Sequence, residues 1–388
     1  MWILRTTLSA SQTRRGRVPE LDGLRGIAIL QVVLAHYFYN PNPKLPGLLR
    51  CIQYVFGLGW TGVDLFFVLS GFLIGGILLD ARSSPAFFKT FYIRRFFRII
   101  PLYYLWLILF IVFIYFGGPT ILSHTRLAVL PRIDWSILAH FLFLQNLWAF
   151  DFVNLAYSWL APLWSLAVEE QFYLISPLLI WFLPKRRLVV VLWAVVVLAP
   201  FCRILVRHLV PYQPWPAYRL MPCRADCLAL GMLIANYWRD EQFRARLSAR
   251  GTIFYSLLAV LLAGVVVLGI WFSNPIGLLT QTIGYSWIAF FYAFLLIAVL
   301  KDIRSPLARV ARIRWLQEAG RVSYCMYIIH SMVGYFCFGF LMNHFIHLTR
   351  WRNGTVGLLA ISLTYCIAKL SWICLEYPLL RIGHRYTY

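Results

Sequence analysis

The stretch LDGLRGIAILQVVLAHYFYN, residues 21–40, is apolar enough to cross a bilayer, yet it contains Arg25 and His36. On a helix these two residues lie within about 20° of one face and about 16 Å apart along the axis. Ionisable side chains inside a membrane span are costly and usually functional. The stretch therefore predicts one functional helix face, with an arginine at one depth and a histidine at another.

The whole chain has the composition of a membrane protein. Its 388 residues are 61% hydrophobic, 18% aromatic and only 13% charged, and the mean hydropathy is +0.72. Apolar runs close to the about 20 residues that cross a bilayer recur along it, whereas the alternating ten-residue segments of an outer-membrane barrel do not. We predict an all-α polytopic membrane protein with about ten transmembrane helices and both termini cytoplasmic.

The predicted transmembrane domain covers residues 21–376, between cytoplasmic tails at 1–20 and 377–388. Its spans are residues 21–40, a run that ends near Leu79, 99–117, 164–183, 188–206, 223–238, 252–272, 276–300, 322–343 and 355–376. RSSPAFFKTFYIRRFFR, residues 82–98, is predicted to form an amphipathic cytoplasmic loop at the headgroup level. Residues 135–150 are too short and too interrupted to span, so we predict an external or re-entrant segment.

A formal net charge of +22 would also suit a nucleic-acid-binding protein. The Lys and Arg residues, however, are concentrated in short loops on one predicted side of the membrane, as expected for cytoplasmic loops. We therefore expect no nucleic-acid partner, whereas membrane lipids with anionic headgroups and an anionic cytoplasmic ligand both fit the charge.

Four ionisable groups fall at a similar predicted depth in the outer half of the membrane: His36, Asp64, Glu169 and Glu170. A histidine near a carboxylate suits general-base chemistry, because the carboxylate orients the ring while the other nitrogen takes a proton from a hydroxyl. Asp64 or Glu169 is a candidate for that carboxylate. Glu170 points about 100° away from Glu169, and Ser165 shares a helix face with Glu169. The alternatives are a buried histidine without function and, for Asp64, a polar clamp between helices.

Near the inner surface, Arg25 lies close in predicted depth to Arg94, Arg95 and Arg98. Clustered guanidinium groups suit phosphate recognition through paired hydrogen bonds, although a basic loop is also a simple topology signal. His330, in SYCMYIIH, is a further candidate that either lines a cavity or packs between helices.

For one group of glycines and one pair of cysteines, we predict a structural role and no ligand binding. Gly71, Gly75 and Gly76 are predicted to let helices approach closely. Cys223 and Cys227 are one helical turn apart, but no second pair of ligands follows at a spacing typical of zinc, so we expect no metal.

Six segments occur in an order that resembles a known family: ELDGLRGIAILQVVLAHY, GVDLFFVLSGFLIGGIL, FYIRRFFRIIPLYY, WSLAVEEQFYLISP, GRVSYCMYIIH and LEYP. Together they resemble the integral-membrane acyltransferase family 3 over nearly the entire chain. The resemblance implies transfer of an acyl group, usually acetyl, from cytoplasmic acyl-CoA to a hydroxyl of a carbohydrate or glycoconjugate. It also implies a location in the bacterial cytoplasmic (inner) membrane.

The family's motifs map onto named residues of this chain. Its Arg followed by ten residues and His corresponds to Arg25 and His36, and its Arg-x-x-Arg corresponds to Arg95 and Arg98. The resemblance thus implies that the arginines bind the phosphates of acyl-CoA and that His36 is a general base or a transient acyl carrier. We recognise no fused esterase-like domain in these residues. We expect the chain to complete the transfer itself or to pass the acyl group to a separate extracytoplasmic partner.

A transporter or flippase for a lipid-linked sugar is the alternative from another class, with the intramembrane His and carboxylates as a proton relay. Against it, the two halves of the chain show no repeat, and the charged groups do not continue through the later helices. Acceptor contacts are predicted in residues 118–163, where the aromatic side chains either stack on sugar rings or anchor the interface. These are Trp135, Trp148, Tyr157 and Trp159.

Overall fold

The computed structural model describes residues 18–39, 56–116, 135–147, 157–272, 274–342 and 351–388. All regular structure in these ranges is helical. Ten helices have 17 or more residues, namely α1 (Pro19–Phe38), α2 (Gly62–Ala81), α3 (Phe87–Phe116), α4 (Trp164–Phe182), α5 (Lys185–Leu209), α6 (Met221–Tyr237), α7 (Gly251–Trp271), α8 (Tyr285–Lys301), α9 (Ser323–Met342) and α10 (Trp351–Ser371).

Shorter elements connect or extend these helices. They are the α-helices Trp135–Phe141, Tyr157–Leu160, Trp215–Arg219, Glu241–Ala249, Pro306–Ala311, Arg314–Arg321 and Tyr377–Gly383, the 3₁₀ turns Gly59–Thr61 and Ala161–Leu163, and the π-helical turns Thr280–Gly284 and Trp372–Glu376.

Every predicted span coincides with one of the ten long helices, and the all-α polytopic class is confirmed. Eight helical segments in the described ranges are long and apolar enough to cross a membrane. The other two long helices are α4, which contains Glu169 and Glu170, and α6, which has 17 residues and contains Arg224 and Asp226. The number of crossings and the side on which the termini lie stay predictions.

The predicted loop at 82–98 is wrong for most of its length, because α3 is one continuous helix from Phe87 to Phe116. Its 30 residues correspond to about 45 Å. Pro101 lies inside it, close to the expected boundary between loop and span. A proline removes one backbone hydrogen bond and bends a helix, but a membrane helix tolerates it.

Two further boundaries differ from or refine the prediction. At the carboxyl end, the π-helical turn Trp372–Glu376 leads into the helix Tyr377–Gly383, so the predicted tail begins as helix. The helix Trp135–Phe141 has only seven residues, or about 10 Å, which is too short to cross a membrane, as predicted for this segment. Residues 1–17 of the predicted amino-terminal tail and residues 117–134 lie outside the described residues, and Pro19 and Glu20 already belong to α1.

The chain forms two compact units. Unit 1 comprises Met1–Ala28, Thr61–Phe87 and Glu169–Arg321. Its centre is α6, which is buried from Cys223 to Asn236 and packs against α2, α5 and α8.

Glycines bring α2 and α6 of unit 1 together at backbone distance. A Cβ atom on Gly71 would lie 2.1 Å from the Leu228 carbonyl oxygen, and one on Gly231 would lie 2.2 Å from the Val68 carbonyl oxygen. The predicted packing role of Gly71 is thereby confirmed, because any side chain there would push the helices apart.

Unit 2 comprises Ile29–Trp60, Phe88–Val168 and Val322–Tyr388. Its helices α9 and α10 pack against each other, and the short helix Tyr157–Leu160 packs against α9. Phe38, at the end of α1, lies where a Cβ atom on Gly357 of α10 would come within 2.6 Å of its ring. The carboxyl end of α1 is therefore fixed against α10.

Candidate functional site

Two histidine rings meet in unit 2. The imidazoles of His36 on α1 and His330 on α9 have centroids 4.8 Å apart and planes at 73°, an edge-to-face arrangement. His36 is exposed, whereas His330 is completely buried. Two of the sequence candidates are thus direct neighbours that differ in exposure.

The hydrogen bonds of both rings fix where their protons lie. Nδ1 of His36 is 2.8 Å from the Val32 carbonyl oxygen, and Nδ1 of His330 is 2.7 Å from the Tyr327 carbonyl oxygen. A carbonyl oxygen only accepts, so each Nδ1 donates, and each neutral ring carries its lone pair on Nε2. Nε2 of the neutral His36 ring is therefore the nitrogen that can accept a proton.

Tyr37 joins the two histidine-bearing helices. Its hydroxyl donates to the His330 carbonyl oxygen at 2.6 Å and lies 3.0 Å from Oγ1 of Thr364 on α10. The Tyr37 side chain is almost fully buried. Because Tyr37 directly follows His36, this contact fixes the part of α1 that carries the exposed ring.

Ser165 lies beside the same turn of α9. Its Oγ is 2.6 Å from the Tyr327 hydroxyl, which donates to the Pro162 carbonyl oxygen at 2.9 Å. The structure therefore brings Ser165 to the residue whose carbonyl holds the His330 ring. The sequence analysis missed Tyr327 and Tyr37. The available signal was their position next to, or one turn before, a candidate histidine.

The candidate arginines of unit 2 lie near the start of α3, and all three are half-buried: Arg94, Arg95 and Arg98. Nε of Arg94 donates to the Tyr386 carbonyl oxygen at 2.8 Å, and its guanidinium lies 5.0 Å from the centre of the Tyr388 ring. The Arg98 guanidinium lies near the Glu376 carboxylate. The basic face of α3 is thus partly covered by residues from the end of the chain.

The phenol of Tyr388 lies next to the arginines of this basic face. Burial raises the pKa of its phenol, while the neighbouring guanidinium groups of Arg95 and Arg94 favour the ionised form. Thr90, one turn before Arg94, donates to the Thr387 carbonyl oxygen at 2.9 Å. Residues 386–388 therefore lie along α3 as an ordered strap.

Arg25 belongs to unit 1 and is half-buried. On either side of it, Gly23 and Gly26 approach the backbone of Ala311 and Leu316 so closely that a Cβ atom would lie within 2 Å of a carbonyl oxygen. The beginning of α1 is therefore held between the helices Pro306–Ala311 and Arg314–Arg321. This packing explains why glycines flank the arginine in LDGLRG.

Asp64, also in unit 1, is completely buried and forms a salt bridge with Arg224 of α6 at 2.6 Å. The Cys227 thiol donates to the same carboxylate oxygen at 3.2 Å. These contacts favour the alternative that the sequence left open, a polar clamp between helices. The catalytic assignment of Asp64 stays a prediction.

Glu169 accepts hydrogen bonds in unit 1 from Ser70 at 2.7 Å and from Tyr173 at 3.1 Å. Both it and Glu170 are half-buried. The His36 ring, in turn, is oriented at Nδ1 by a main-chain carbonyl. Glu169 is therefore not needed to orient Nδ1 of His36, and its catalytic role stays a prediction.

Sequence reasoning missed a second buried ion pair in unit 1. Arg203 and Asp226 are 3.0 Å apart with both side chains buried, and Ser286 also donates to Asp226. The Tyr285 ring lies 5.6 Å from the Arg203 guanidinium and 4.2 Å from that of Arg224. No local pattern could reveal these pairs, because their members come from different helices.

Trp159 is buried against Phe110, Phe113 and Phe336, with ring centroids 5.2 to 5.8 Å apart. It therefore packs inside unit 2, and neither sugar stacking nor interfacial anchoring describes it. The side chains of Trp135, Trp148 and Tyr157 lie outside the described residues. Within those described, no three His, Cys, Asp or Glu residues cluster closely enough to hold a metal ion.

Comparison with known proteins gives this geometry its class. The model of the acyltransferase domain family matches residues 18–370. The chain belongs to this family, so the resemblance seen in the sequence is confirmed, and its apolar helices make it an integral membrane protein.

Two curated relatives are each 28% identical over 95% of this chain. One is the peptidoglycan O-acetyltransferase OatA of Listeria monocytogenes, of which 57% is covered. The other is the O-acetyltransferase OatA of Staphylococcus aureus, of which 58% is covered. The chain thus spans little more than half the length of these relatives. No solved structure is significantly similar to it.

Proposed function

We propose that this protein is a membrane-bound O-acyltransferase. It moves an acyl group, usually acetyl, from cytoplasmic acyl-CoA to a hydroxyl of a carbohydrate or glycoconjugate. The observation that carries this proposal is the exposed His36, whose Nδ1 is bound to the Val32 carbonyl and whose Nε2 therefore offers a lone pair. Membership of the acyltransferase family supplies the reaction class.

His36 acts as the general base. Its Nε2 takes the proton of the acceptor hydroxyl while the hydroxyl oxygen attacks the thioester carbonyl. The carbon–sulfur bond then breaks, and the thiolate of CoA receives the proton from the His36 imidazolium. Protons and electrons balance without another reactant. A transient acyl group on His36 is the other route that this residue permits.

Arg95 and Arg98 bind the phosphates of the donor, because guanidinium groups one helical turn apart match paired phosphate oxygens. Arg25 is the predicted third ligand. It lies about 16 Å from His36 along α1, and an extended pantetheine arm of about 15–20 Å covers a similar distance. This match supports phosphates near the inner surface with the thioester close to His36.

The acceptor is a cell-envelope glycan, and the site of action is the bacterial cytoplasmic membrane. The names of the relatives, which specify peptidoglycan O-acetylation for the Listeria protein, support this class of acceptor. The protein also meets membrane lipids through its exposed apolar helix faces. In the alternative that the sequence leaves open, a separate extracytoplasmic protein receives the acyl group and passes it to the glycan.

The test measures free thiol released from acetyl-CoA by the purified protein, with and without de-O-acetylated peptidoglycan glycan chains. We expect acceptor-dependent release, and a loss of about 100-fold or more for His36→Ala. His208→Ala is the matched control, because His208 is exposed at the end of α5. Full activity of a stably inserted His36→Ala variant would refute the assignment.

Two further measurements distinguish direct transfer from a covalent intermediate, and an enzyme from a transporter. After incubation with radiolabelled donor alone, a direct mechanism leaves the protein unlabelled, whereas label on His36 identifies an acyl carrier. Movement of a lipid-linked sugar across the membrane of vesicles, without thiol release, would identify a transporter or flippase instead of an enzyme.

A further inference from the structure

His330 is the titratable group closest to the proposed base, and the reaction described above does not use it. Its ring is completely buried, and its edge-to-face contact with His36 spans 4.8 Å between centroids. We infer that His330 is a positioning residue, a rigid neutral ring that holds His36 in its reactive orientation. This inference rests on the proposed function.

The rigidity of His330 follows from its contacts. Its Nδ1 donates to the Tyr327 carbonyl at 2.7 Å, and its own carbonyl oxygen accepts from the Tyr37 hydroxyl at 2.6 Å. Tyr327 is fixed in turn, because its hydroxyl donates to the Pro162 carbonyl. Hydrogen bonds therefore hold both the ring and the backbone of His330. The ring is a fixed surface against which the His36 ring packs.

The neutral state of His330 follows from burial and proximity. An isolated charge inside a span is costly, and two imidazolium rings 4.8 Å apart would repel each other strongly at low dielectric. The pair therefore takes up one proton, and the exposed His36 is the ring that receives it. The Ser331 hydroxyl lies 3.4 Å from Nε2 of His330, where it can donate to the lone pair of the neutral ring.

The geometry of the two rings gives His330 its effect on the reaction. Aromatic rings attract one another edge to face because the positive edge meets the negative face. This attraction restricts rotation of the His36 ring. Removal of the His330 ring should therefore leave His36 freer to turn away from the acceptor hydroxyl, which slows the chemical step without changing donor binding.

The test compares His330→Phe, which keeps a flat ring, with His330→Leu, which removes it. With acetyl-CoA and the glycan chains as substrates, we expect kcat to fall about threefold for His330→Phe and about 30-fold for His330→Leu. The KM for acetyl-CoA should stay within twofold in both. Phe340→Leu is the control variant and should leave kcat unchanged, because it removes an exposed ring from the same helix.

Three outcomes would overturn the inference. A wild-type kcat in His330→Leu would show that the ring does not matter. A change confined to KM would place His330 against the substrate. A loss as complete as that of His36→Ala would make His330 a base in its own right. Melting temperatures of the detergent-purified variants separate these results from unfolding.

A measurement without substrate keeps the inference distinct from the proposed function. Solid-state ¹⁵N spectra of histidine-labelled protein, assigned with His36→Gln and His330→Gln, should show Nδ1-protonated rings for both residues. Failure of wild-type thiol release would refute the proposed reaction and leave this pairing intact. A Nε2-protonated His36 would refute the pairing even in an active enzyme.

Discussion

Asp64 and Arg224 form a salt bridge of 2.6 Å with essentially no solvent exposure of either side chain. The pair links α2 to α6 at the centre of unit 1, and the Tyr285 ring covers the guanidinium at 4.2 Å. Two charges buried together are tolerated because each neutralises the other. Loss of one partner leaves the second charge unpaired, which typically costs about 3–5 kcal/mol.

This relationship gives a prediction that separates a structural Asp64 from a catalytic one. We expect Asp64→Leu and Arg224→Met each to reduce the amount of folded protein in the membrane. The double variant should recover much of the lost melting temperature, because an apolar pair avoids the unpaired charge. We expect acyl transfer to return with it. A stable but inactive double variant would instead support the catalytic role that the sequence suggested.

Arg95 and Arg98 are predicted to bind the donor. Replacing both with Ala should raise the KM for acetyl-CoA at least tenfold, because two charge-assisted hydrogen-bonding groups are lost, while the KM for the acceptor changes little. Arg186→Ala with Arg187→Ala is the matched control, because these arginines are exposed at the start of α5. Equal loss of protein from the membrane in both double variants would assign Arg95 and Arg98 to topology alone.

The glycine contact between α2 and α6 predicts a steep response to a single methyl group. Gly71→Ala should lower the melting temperature strongly, because its Cβ would lie 2.1 Å from the Leu228 carbonyl oxygen. Gly76→Ala, on the same helix, should have a much smaller effect, because its Cβ would approach the guanidinium of the Arg239 side chain at 3.3 Å and no backbone atom of a neighbouring helix. Similar melting temperatures for the two variants would contradict backbone-distance packing.

Ser165 is a candidate residue of the catalytic site. Its hydrogen bond to Tyr327 predicts that it stabilises the structure around His330 and does not react itself. Ser165→Ala should lower the free energy of unfolding by about 1 kcal/mol through loss of the hydrogen bond to Tyr327. We expect kcat to remain within tenfold of wild type. Complete loss of transfer, together with donor label on the wild-type protein that Ser165→Ala abolishes, would make Ser165 a nucleophile.

The positions of the helices could be predicted because apolar length alone determines them. The first predicted span, residues 21–40, corresponds to Pro19–Phe38. The predicted span 223–238 corresponds to α6, Met221–Tyr237, although this helix is less apolar. The error at 82–98 arose because basic residues among aromatic ones were interpreted as a loop at the membrane surface. A polar helix face at that surface is equally compatible with one continuous helix.

The site could be predicted only in part, because partners across helices are a tertiary property. The sequence singled out His36 and His330, but nothing in it indicated that the two rings would touch. Arg224 was invisible as the partner of Asp64, since 160 positions separate the two residues. The carbonyl of Val32 was equally hidden, because every residue carries such a group.

The length of α3 has a consequence for how membrane composition would act on this protein. Residues 99–116 alone match a hydrocarbon layer of about 30 Å, so the arginine-bearing first turns extend beyond it. Hydrophobic mismatch is relieved by tilting a helix or by local changes in bilayer thickness. In a thicker bilayer, the arginines predicted to bind the donor would be drawn toward the headgroup phosphates, which would then compete with the proposed acyl-CoA. If the proposed donor site is right, we expect its affinity for acyl-CoA to change with lipid chain length.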